Sequence, residues 1–191
     1  MPIDPASLCV LANPNSGRGA GGGARLDAAM ATFGPSVPLR RLSGGQSFED
    51  LAKQAIADGY TTLVAAGGDG TVNALAHALM GSDVNLAILP LGTFNFVSRG
   101  LGLPEEPEAA ARAILAGHPH RISVGSVNGQ VFLNNASIGI YPRLLQQREA
   151  LYARWGRSRL LAYWTVLSTI LRVQAPRRLV IDADGTRHDL T

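Results

Sequence analysis

Short apolar runs alternate with amphipathic segments through the first two thirds of the chain. The pattern predicts strands at 7–12, 37–41, 61–66 and 86–89, and helices at 24–33, 47–58, 71–80 and 104–116. The run Thr61–Ala66 is apolar at nearly every position, as in a strand of a sheet that is covered on both faces. Strands that alternate with helices at this spacing predict parallel βαβ units.

The pattern changes after His118. Two β segments are predicted at 121–128 and 130–140, then a mostly helical stretch at 141–173, and a last hairpin with strands at 177–182 and 186–190. We therefore predict two domains of an α/β protein. A Rossmann-like parallel sheet occupies 1–120, and 121–191 is the beginning of a second, mostly β domain.

Composition narrows the class of protein. Of the 191 residues, 46% are hydrophobic and 16% are charged, which is enough apolar material for a core and excludes a disordered chain. The 22 glycines follow no Gly-X-Y repeat, so a collagen-like structure is excluded. The formal net charge of +3 is too small to indicate a nucleic-acid partner, and we expect none.

The single cysteine, Cys9, excludes an internal disulfide and favours a reducing compartment, so we expect a cytoplasmic protein. No signal peptide is visible at 1–5, and the apolar run at 160–171 is too short to span a bilayer. Arginines outnumber acids at 143–178, which suits a peripheral contact with anionic lipid. A solvated basic face is the alternative.

Three loops rich in glycine and hydroxyl residues follow predicted strands, at 13–19, 67–71 and 91–95. The carboxyl ends of parallel strands share one edge of a sheet, where ligands bind in open α/β folds. Glycines there let backbone N–H groups approach phosphate oxygens, and helix N-termini favour anions. Any one loop could be a plain tight turn, but three on one edge favour a phosphate site.

Two familiar nucleotide motifs do not account for these loops. The glycine spacing at 17–22 matches the dinucleotide fingerprint, but its first glycine is not at a strand end, and arginines at 40–41 stand where an acid is expected. The phosphate-binding Gly-Lys-Ser/Thr motif is excluded because the one lysine, Lys53, is in the middle of a predicted helix.

Asp69 is an acid in a loop that otherwise favours anions. A carboxylate is unfavourable there unless a cation or a donor faces it, and Mg²⁺ on a nucleotide would supply the cation. The alternative is that Asp69 forms a turn or caps a helix that starts at Thr71.

Asn13–Gly17, Gly67–Asn73 and Pro90–Asn95 resemble the three signature loops of the diacylglycerol kinase catalytic domain. That family includes bacterial lipid kinases and the diacylglycerol, sphingosine and ceramide kinases of eukaryotes. The resemblance continues through 99–104 and 127–139, and so covers essentially the whole chain.

The resemblance implies ATP-dependent phosphorylation of a lipid hydroxyl, diacylglycerol-like or sphingoid, at a membrane surface, with Mg²⁺. It assigns a catalytic role to Asp69 and places the base and most magnesium ligands beyond residue 191, so no metal ligand is assigned here. The nucleotide would be held by Asn13, Ser16, Gly17, Ser43, Gly67, Gly68, Asp69, Gly70, Thr71, Thr93 and Asn95.

Two departures leave alternatives open. Phe96 follows Asn95 where many relatives have Asp or His, and Ser123 stands where relatives often carry Asp. A non-catalytic nucleotide-binding module is therefore one alternative, and a kinase of NAD, whose family shares the Gly-Gly-Asp-Gly-Thr loop, is another. Because family members are longer, we expect this chain alone to be inactive on lipid, and the open edge of its last hairpin to favour self-association, as in a homodimer.

Overall fold

Four parallel strands form the central sheet of the protein, in the order β2-β1-β3-β4. The computed structural model describes residues 3–14, 22–136, 179–183 and 186–190. Contacts divide the chain into two compact units, Met1–Ala136 and Ser137–Thr191, and the central sheet belongs to the first.

The elements follow one another as predicted, with shifted ends. The strands of the sheet are β1 (Leu8–Ala12), β2 (Leu39–Arg41), β3 (Thr62–Gly67) and β4 (Asn85–Pro90). The helices are α1 (Gly22–Phe33), α2 (Phe48–Ala57), α3 (Asp69–Ala78), α4 (Phe96–Gly100) and α5 (Pro107–Ala116). A short 3-10 helix at Pro5–Ser7 precedes β1, and two hairpins follow α5, with strands β5 (Gly125–Val127), β6 (Gln130–Phe132), β7 (Leu179–Ala183) and β8 (Thr186–Leu190).

Both faces of the sheet are covered, as the apolar third strand predicted. Alternate residues of β1 enter different clusters: Leu8 and Val10 pack with α1 and α5, whereas Cys9 and Leu11 pack with α2 and α3. All five residues of β1 and all six of β3 are buried. The prediction of an α/β fold with a Rossmann-like parallel sheet is confirmed.

The strand order creates a switch point between β1 and β3. The chain goes from β1 to β2 on one side, then crosses β1 to reach β3 on the other, and β1 pairs in parallel with both. Crossovers that leave in opposite directions open a crevice at the carboxyl ends of the two strands, where ligands bind in this class of sheet. The loops after β1 and β3 are two of the three glycine loops.

The four predicted helices start one to three residues away from the predicted positions, and two of these shifts have a clear local cause. Helix α3 begins at Asp69 rather than Thr71, because the N–H groups of Thr71 and Val72 already bond the carbonyl of Gly68 at 2.9 and 3.1 Å. Helix α5 begins at Pro107 rather than at 104, with the proline at a first-turn position that needs no donor.

The β5–β6 hairpin turns at Asn128 and Gly129, as predicted, and both residues have the positive φ that a tight hairpin turn requires. Its strands are shorter than expected, since 121–124 form no regular structure. The hairpin belongs to the first unit, where the Asn73 side chain on α3 accepts a hydrogen bond from the Leu133 N–H at 3.2 Å.

The last hairpin is confirmed by the antiparallel pairing of β7 with β8. The predicted helix at 141–173, the end of the predicted strand at 130–140 and the turn at 184–185 lie outside the described residues. The domain division at 120 stays a prediction.

Candidate functional site

Each strand of the sheet is followed, at its carboxyl end, by a segment that contains predicted site residues. Asn13 directly follows β1 and Gly68 directly follows β3, whereas Ser43 and Gly92 follow β2 and β4 after one intervening residue. The sheet therefore gathers along one edge four segments that lie far apart in the sequence.

Asn13 and Thr71 meet across the switch point. The side-chain amide nitrogen of Asn13, Nδ2, donates to the Thr71 hydroxyl at 3.4 Å, which joins the loop after β1 to the first turn of α3. Thr71 is only 4% exposed and lies directly over Gly67. A Cβ atom placed on Gly67 would fall 2.6 Å from the Thr71 Cβ, so the glycine is required by this packing.

The first turn of α3 points its backbone N–H groups to the same edge. The N–H groups of Thr71 and Val72 bond the Gly68 carbonyl. The N–H groups of Asp69 and Gly70 come before these, at positions where an α-helix contains no carbonyl group that could accept their hydrogen bonds. Together with the helix dipole they favour a negatively charged group such as phosphate.

Asp69 connects the second glycine loop to α4. Its Oδ1 atom accepts a hydrogen bond from the backbone N–H of Val97, in the first turn of α4, at 3.0 Å. The alternative that Asp69 caps its own helix is therefore wrong. Asp69 lies within the first turn of α3, and its side chain caps α4. A contact with Mg²⁺ or nucleotide stays a prediction.

Asn95 holds the third loop closed. It has a left-handed backbone conformation, with φ of +50°, and it is 6% exposed. Its side chain accepts from the Gly92 N–H and donates to the Gly92 carbonyl, both at 3.0 Å. The predicted contact of Asn95 with the nucleotide stays a prediction, and its observed partner lies within its own loop.

The second and third loops touch through glycine. A Cβ atom on Gly92 would lie 2.5 Å from the Gly68 Cα and 2.8 Å from the Asn95 Oδ1. The two loops can approach this closely only because both residues lack side chains.

Three of the remaining predicted residues are at or near this edge. Thr93 and Gly70 are exposed, and no atom lies within 4 Å of a Cβ placed on Gly70. Ser43 is exposed and its hydroxyl donates to the Gln46 side chain at 2.6 Å. Ser16 and Gly17 lie outside the described residues.

Sequence reasoning assigned no role to Gly92 and Asn73, although both stand in quoted motifs. Gly92 was recognisable as a glycine at a strand end, but the residue it must accommodate, Gly68, is set by tertiary structure. Asn73 gave no signal, because its partner Leu133 is 60 residues away in the chain.

The acid of the second glycine loop, Asp69, suits a magnesium ion carried by a nucleotide better than a metal held by protein alone. Within the described ranges, no three His, Cys, Asp or Glu side chains form a group that could hold a metal ion. Mg²⁺ at nucleotide sites is commonly bound through one or two carboxylates and the phosphates, and Asp69 fits that role.

No helix in the described part of the chain is long and apolar enough to cross a membrane.

Comparison with known protein families gives a clear match. The model of the diacylglycerol kinase catalytic domain matches residues 7–127, which include β1 to β4 and all three glycine loops.

Named relatives agree with this match. The chain is 32% identical over 183 residues to a diacylglycerol kinase of Mycobacterium tuberculosis strain CDC 1551, covering 92% of this chain and 59% of the relative. It is 50% identical over 91 residues to a Pseudomonas aeruginosa PAO1 protein named "Probable lipid kinase YegS-like", covering 47% of this chain and 30% of that protein.

A solved structure agrees as well. The crystal structure of a diacylglycerol kinase from Bacillus anthracis strain Sterne superposes with a TM-score of 0.65 at 27% identity, covering 95% of this chain and 60% of that one. The chain therefore spans no more than about three fifths of these relatives.

Proposed function

The chain belongs to the diacylglycerol kinase catalytic domain family, and we propose that it forms the ATP-binding part of a kinase that phosphorylates a lipid hydroxyl. The observation that carries the proposal is a pair of contacts at the carboxyl edge of the sheet: Asn13 bonds Thr71 across the switch point, and Gly92 packs on Gly68. The NAD kinase alternative shares only the second of these loops.

The site offers what phosphoryl transfer needs. Transfer of a phosphoryl group depends mainly on positioning the phosphates and stabilising their charge. The N–H groups of Asp69 and Gly70 and the dipole of α3 supply the stabilisation, and the Asn13–Thr71 pair fixes that helix end against β1. Mg²⁺, bound through Asp69 and the phosphates, would neutralise charge on the phosphate oxygens.

The acceptor in this proposal is a lipid alcohol, diacylglycerol-like or sphingoid. Support comes from the names of the relatives, which are lipid and diacylglycerol kinases. We assign no catalytic base among the described residues. A non-catalytic nucleotide-binding module is the second candidate, favoured by the apolar Phe96 beside the third loop.

Calorimetric titration with ATP, with and without Mg²⁺, tests the nucleotide site. We expect Mg²⁺-dependent ATP binding that weakens about tenfold in Thr71→Val, which keeps the packing over Gly67 but loses the hydroxyl. Thr32→Val is the matched control, because Thr32 Oγ1 donates along its own helix to the Ala28 carbonyl, near the end of α1 that is far from the glycine loops. Absence of ATP binding to the parent chain would contradict the proposal.

Radiolabelled ATP separates the candidate functions. The protein is incubated with vesicles that carry diacylglycerol or sphingosine, and in parallel with NAD. Labelled lipid supports the lipid kinase, and labelled NAD supports the NAD kinase. ATP binding without transfer to any acceptor favours the nucleotide-binding module or the predicted inactivity of this chain on its own.

A further inference from the structure

Two phenylalanine rings lie exposed beside the third glycine loop. Phe94 and Phe96 are 58% and 54% exposed, although phenylalanine side chains are usually buried. Their rings are parallel to within 2°, with centroids 5.4 Å apart, which is a stacked arrangement. The pair presents a continuous apolar surface at the edge of the sheet that carries the proposed phosphate site.

The backbone under the rings is held by three hydrogen bonds. Asn95, between the two phenylalanines, bonds both polar backbone groups of Gly92, and Asp69 bonds the N–H of Val97. The left-handed conformation of Asn95 is what brings the side chains of its two neighbours to the same side. The rings are therefore presented by a fixed loop.

The segment that carries the rings has no charged side chain of its own, and the carboxylate that bonds its backbone, that of Asp69 on the Val97 N–H, is negative. Residues 84–98 contain no charged side chain; the acid Asp83 precedes them, and Arg99, which follows them, is paired with Glu105 at 2.7 Å. An apolar segment without charged side chains suits hydrocarbon and gives no attraction to anionic head groups.

A nucleotide base fits the pair less well. Base sites combine stacking with polar groups that read the base edge. The amide between the rings, that of Asn95, is 6% exposed and is turned inward to Gly92.

We infer that the stacked pair of Phe94 and Phe96 is a contact for the acyl chains of a diacylglycerol-like acceptor lipid, a specificity element next to the proposed phosphate site. The inference rests on the proposed function, since it takes the acceptor to be a lipid alcohol that must approach the loops at this edge. In the acceptor complex the outer faces of the rings pack on hydrocarbon.

The test measures co-sedimentation of the 191-residue chain with vesicles of phosphatidylcholine, with or without dioleoylglycerol. We expect tighter binding when dioleoylglycerol is present. The double variant Phe94→Ser with Phe96→Ser should weaken that binding by about tenfold or more, because the exposed halves of the two rings are no longer there to be buried against hydrocarbon. Phe94→Leu with Phe96→Leu should keep it, because hydrocarbon contact needs apolar surface rather than rings.

Met80→Ser is the matched control. Met80 is 55% exposed, nearly as much as the two phenylalanines, but it follows the last turn of α3, at the opposite end of that helix from the glycine loops. Its replacement should leave vesicle binding unchanged. Circular dichroism of each variant confirms that the fold is retained.

Three results would overturn the inference: no preference of the parent chain for dioleoylglycerol vesicles, equal binding by the serine variant, or equal losses in the leucine and serine variants. ATP titration of the same variants keeps this outcome separate from the proposed function. A loss of ATP affinity with lipid binding intact would assign the rings to the nucleotide base instead. Unchanged ATP affinity together with the expected lipid result supports the inference.

Discussion

Gly68 and Gly92 stand back to back where the second and third glycine loops meet. A Cβ on Gly92 would approach the Gly68 Cα to 2.5 Å, whereas a Cβ on Gly68 would stand 3.1 Å from the Gly92 Cα. The contact is therefore asymmetric. Gly92 tolerates no side chain without a backbone shift, and Gly68 tolerates one only if Gly92 moves by a few tenths of an ångström.

Gly92→Ala should separate the two loops. We expect a loss of about 1–3 kcal/mol in the free energy of unfolding, because overpacking displaces backbone atoms. ATP affinity should fall as well, since both loops adjoin the proposed phosphate site. Urea unfolding and calorimetric titration measure the two effects.

Gly68→Ala should weaken ATP binding with a smaller loss of stability, in line with its looser contact. Gly23→Ala is the control, because a Cβ at Gly23 in α1 would meet no atom within 4 Å and alanine favours a helix. If Gly92→Ala were as stable as the parent, the close approach of the loops would not constrain position 92.

Asn95→Ala should cost more stability than Asn95→Gly. Both variants lose the two hydrogen bonds to Gly92, but only alanine keeps a Cβ in a left-handed backbone conformation. That strain costs roughly 1 kcal/mol, so the two variants should differ by about this amount in urea unfolding.

Asn128 is the control for Asn95, because it has the same φ of +50° but lies exposed in the β5–β6 turn. Asn128→Gly should be nearly neutral, whereas Asn95→Gly should destabilise through its lost bonds. Equal effects of glycine at the two positions would mean that the bonds to Gly92 add no stability.

Much of the sheet was predictable from the sequence because its strands are short apolar runs that glycine-rich loops follow. The position of the glycine-rich loops at one edge was predictable for the same reason, since parallel strands end at the same edge of a sheet. The contacts between the loops were not predictable. The bond from Asp69 to Val97 and the packing of Gly68 on Gly92 depend on the distance between β3 and β4, which no local pattern encodes.

The start of α3 shows how a local rule fails. Gly70 is a poor helix residue, so the pattern placed the helix after it, at Thr71. In the structure Gly70 lies within the first turn, because the Gly68 carbonyl takes the N–H groups of Thr71 and Val72. The stacked phenylalanines were also missed, since rings on either side of a residue come together only when that residue is left-handed.

Cys9 should make the protein less stable at alkaline pH. Burial in β1 raises the pKa of its thiol, so the folded state keeps the proton at pH values where the unfolded state has lost it. The stabilisation is complete below the ordinary thiol pKa of about 8.5 and is lost as pH rises from there to the folded pKa.

Urea unfolding between neutral and alkaline pH measures this loss, with Cys9→Ala as the control. The alanine variant should be less stable at neutral pH because it leaves a small cavity, but its stability should fall less steeply above pH of about 8.5. Parallel pH profiles for parent and variant would mean that the thiol does not contribute. In the folded parent, thiol reagents should react with Cys9 only as fast as the protein opens.

Asp69 has two separable properties, its charge and its hydrogen bond to Val97. Asp69→Asn retains an oxygen that can accept from the Val97 N–H, whereas Asp69→Ala removes both. We therefore expect Asp69→Ala to lose about 1–3 kcal/mol of stability, as for a partly buried donor left without its acceptor. Asp69→Asn should unfold close to the parent.

In the proposed kinase both variants should lose turnover, because a neutral amide does not replace a carboxylate beside Mg²⁺ and the phosphates. Calorimetric titration tests the contact of Asp69 with Mg²⁺ independently of turnover. The part of the ATP affinity that depends on Mg²⁺ should vanish in both variants. If Asp69→Asn kept both that part and the activity, the function of Asp69 would be to hold α4 against the second loop. The contact with Val97 would then be its whole contribution.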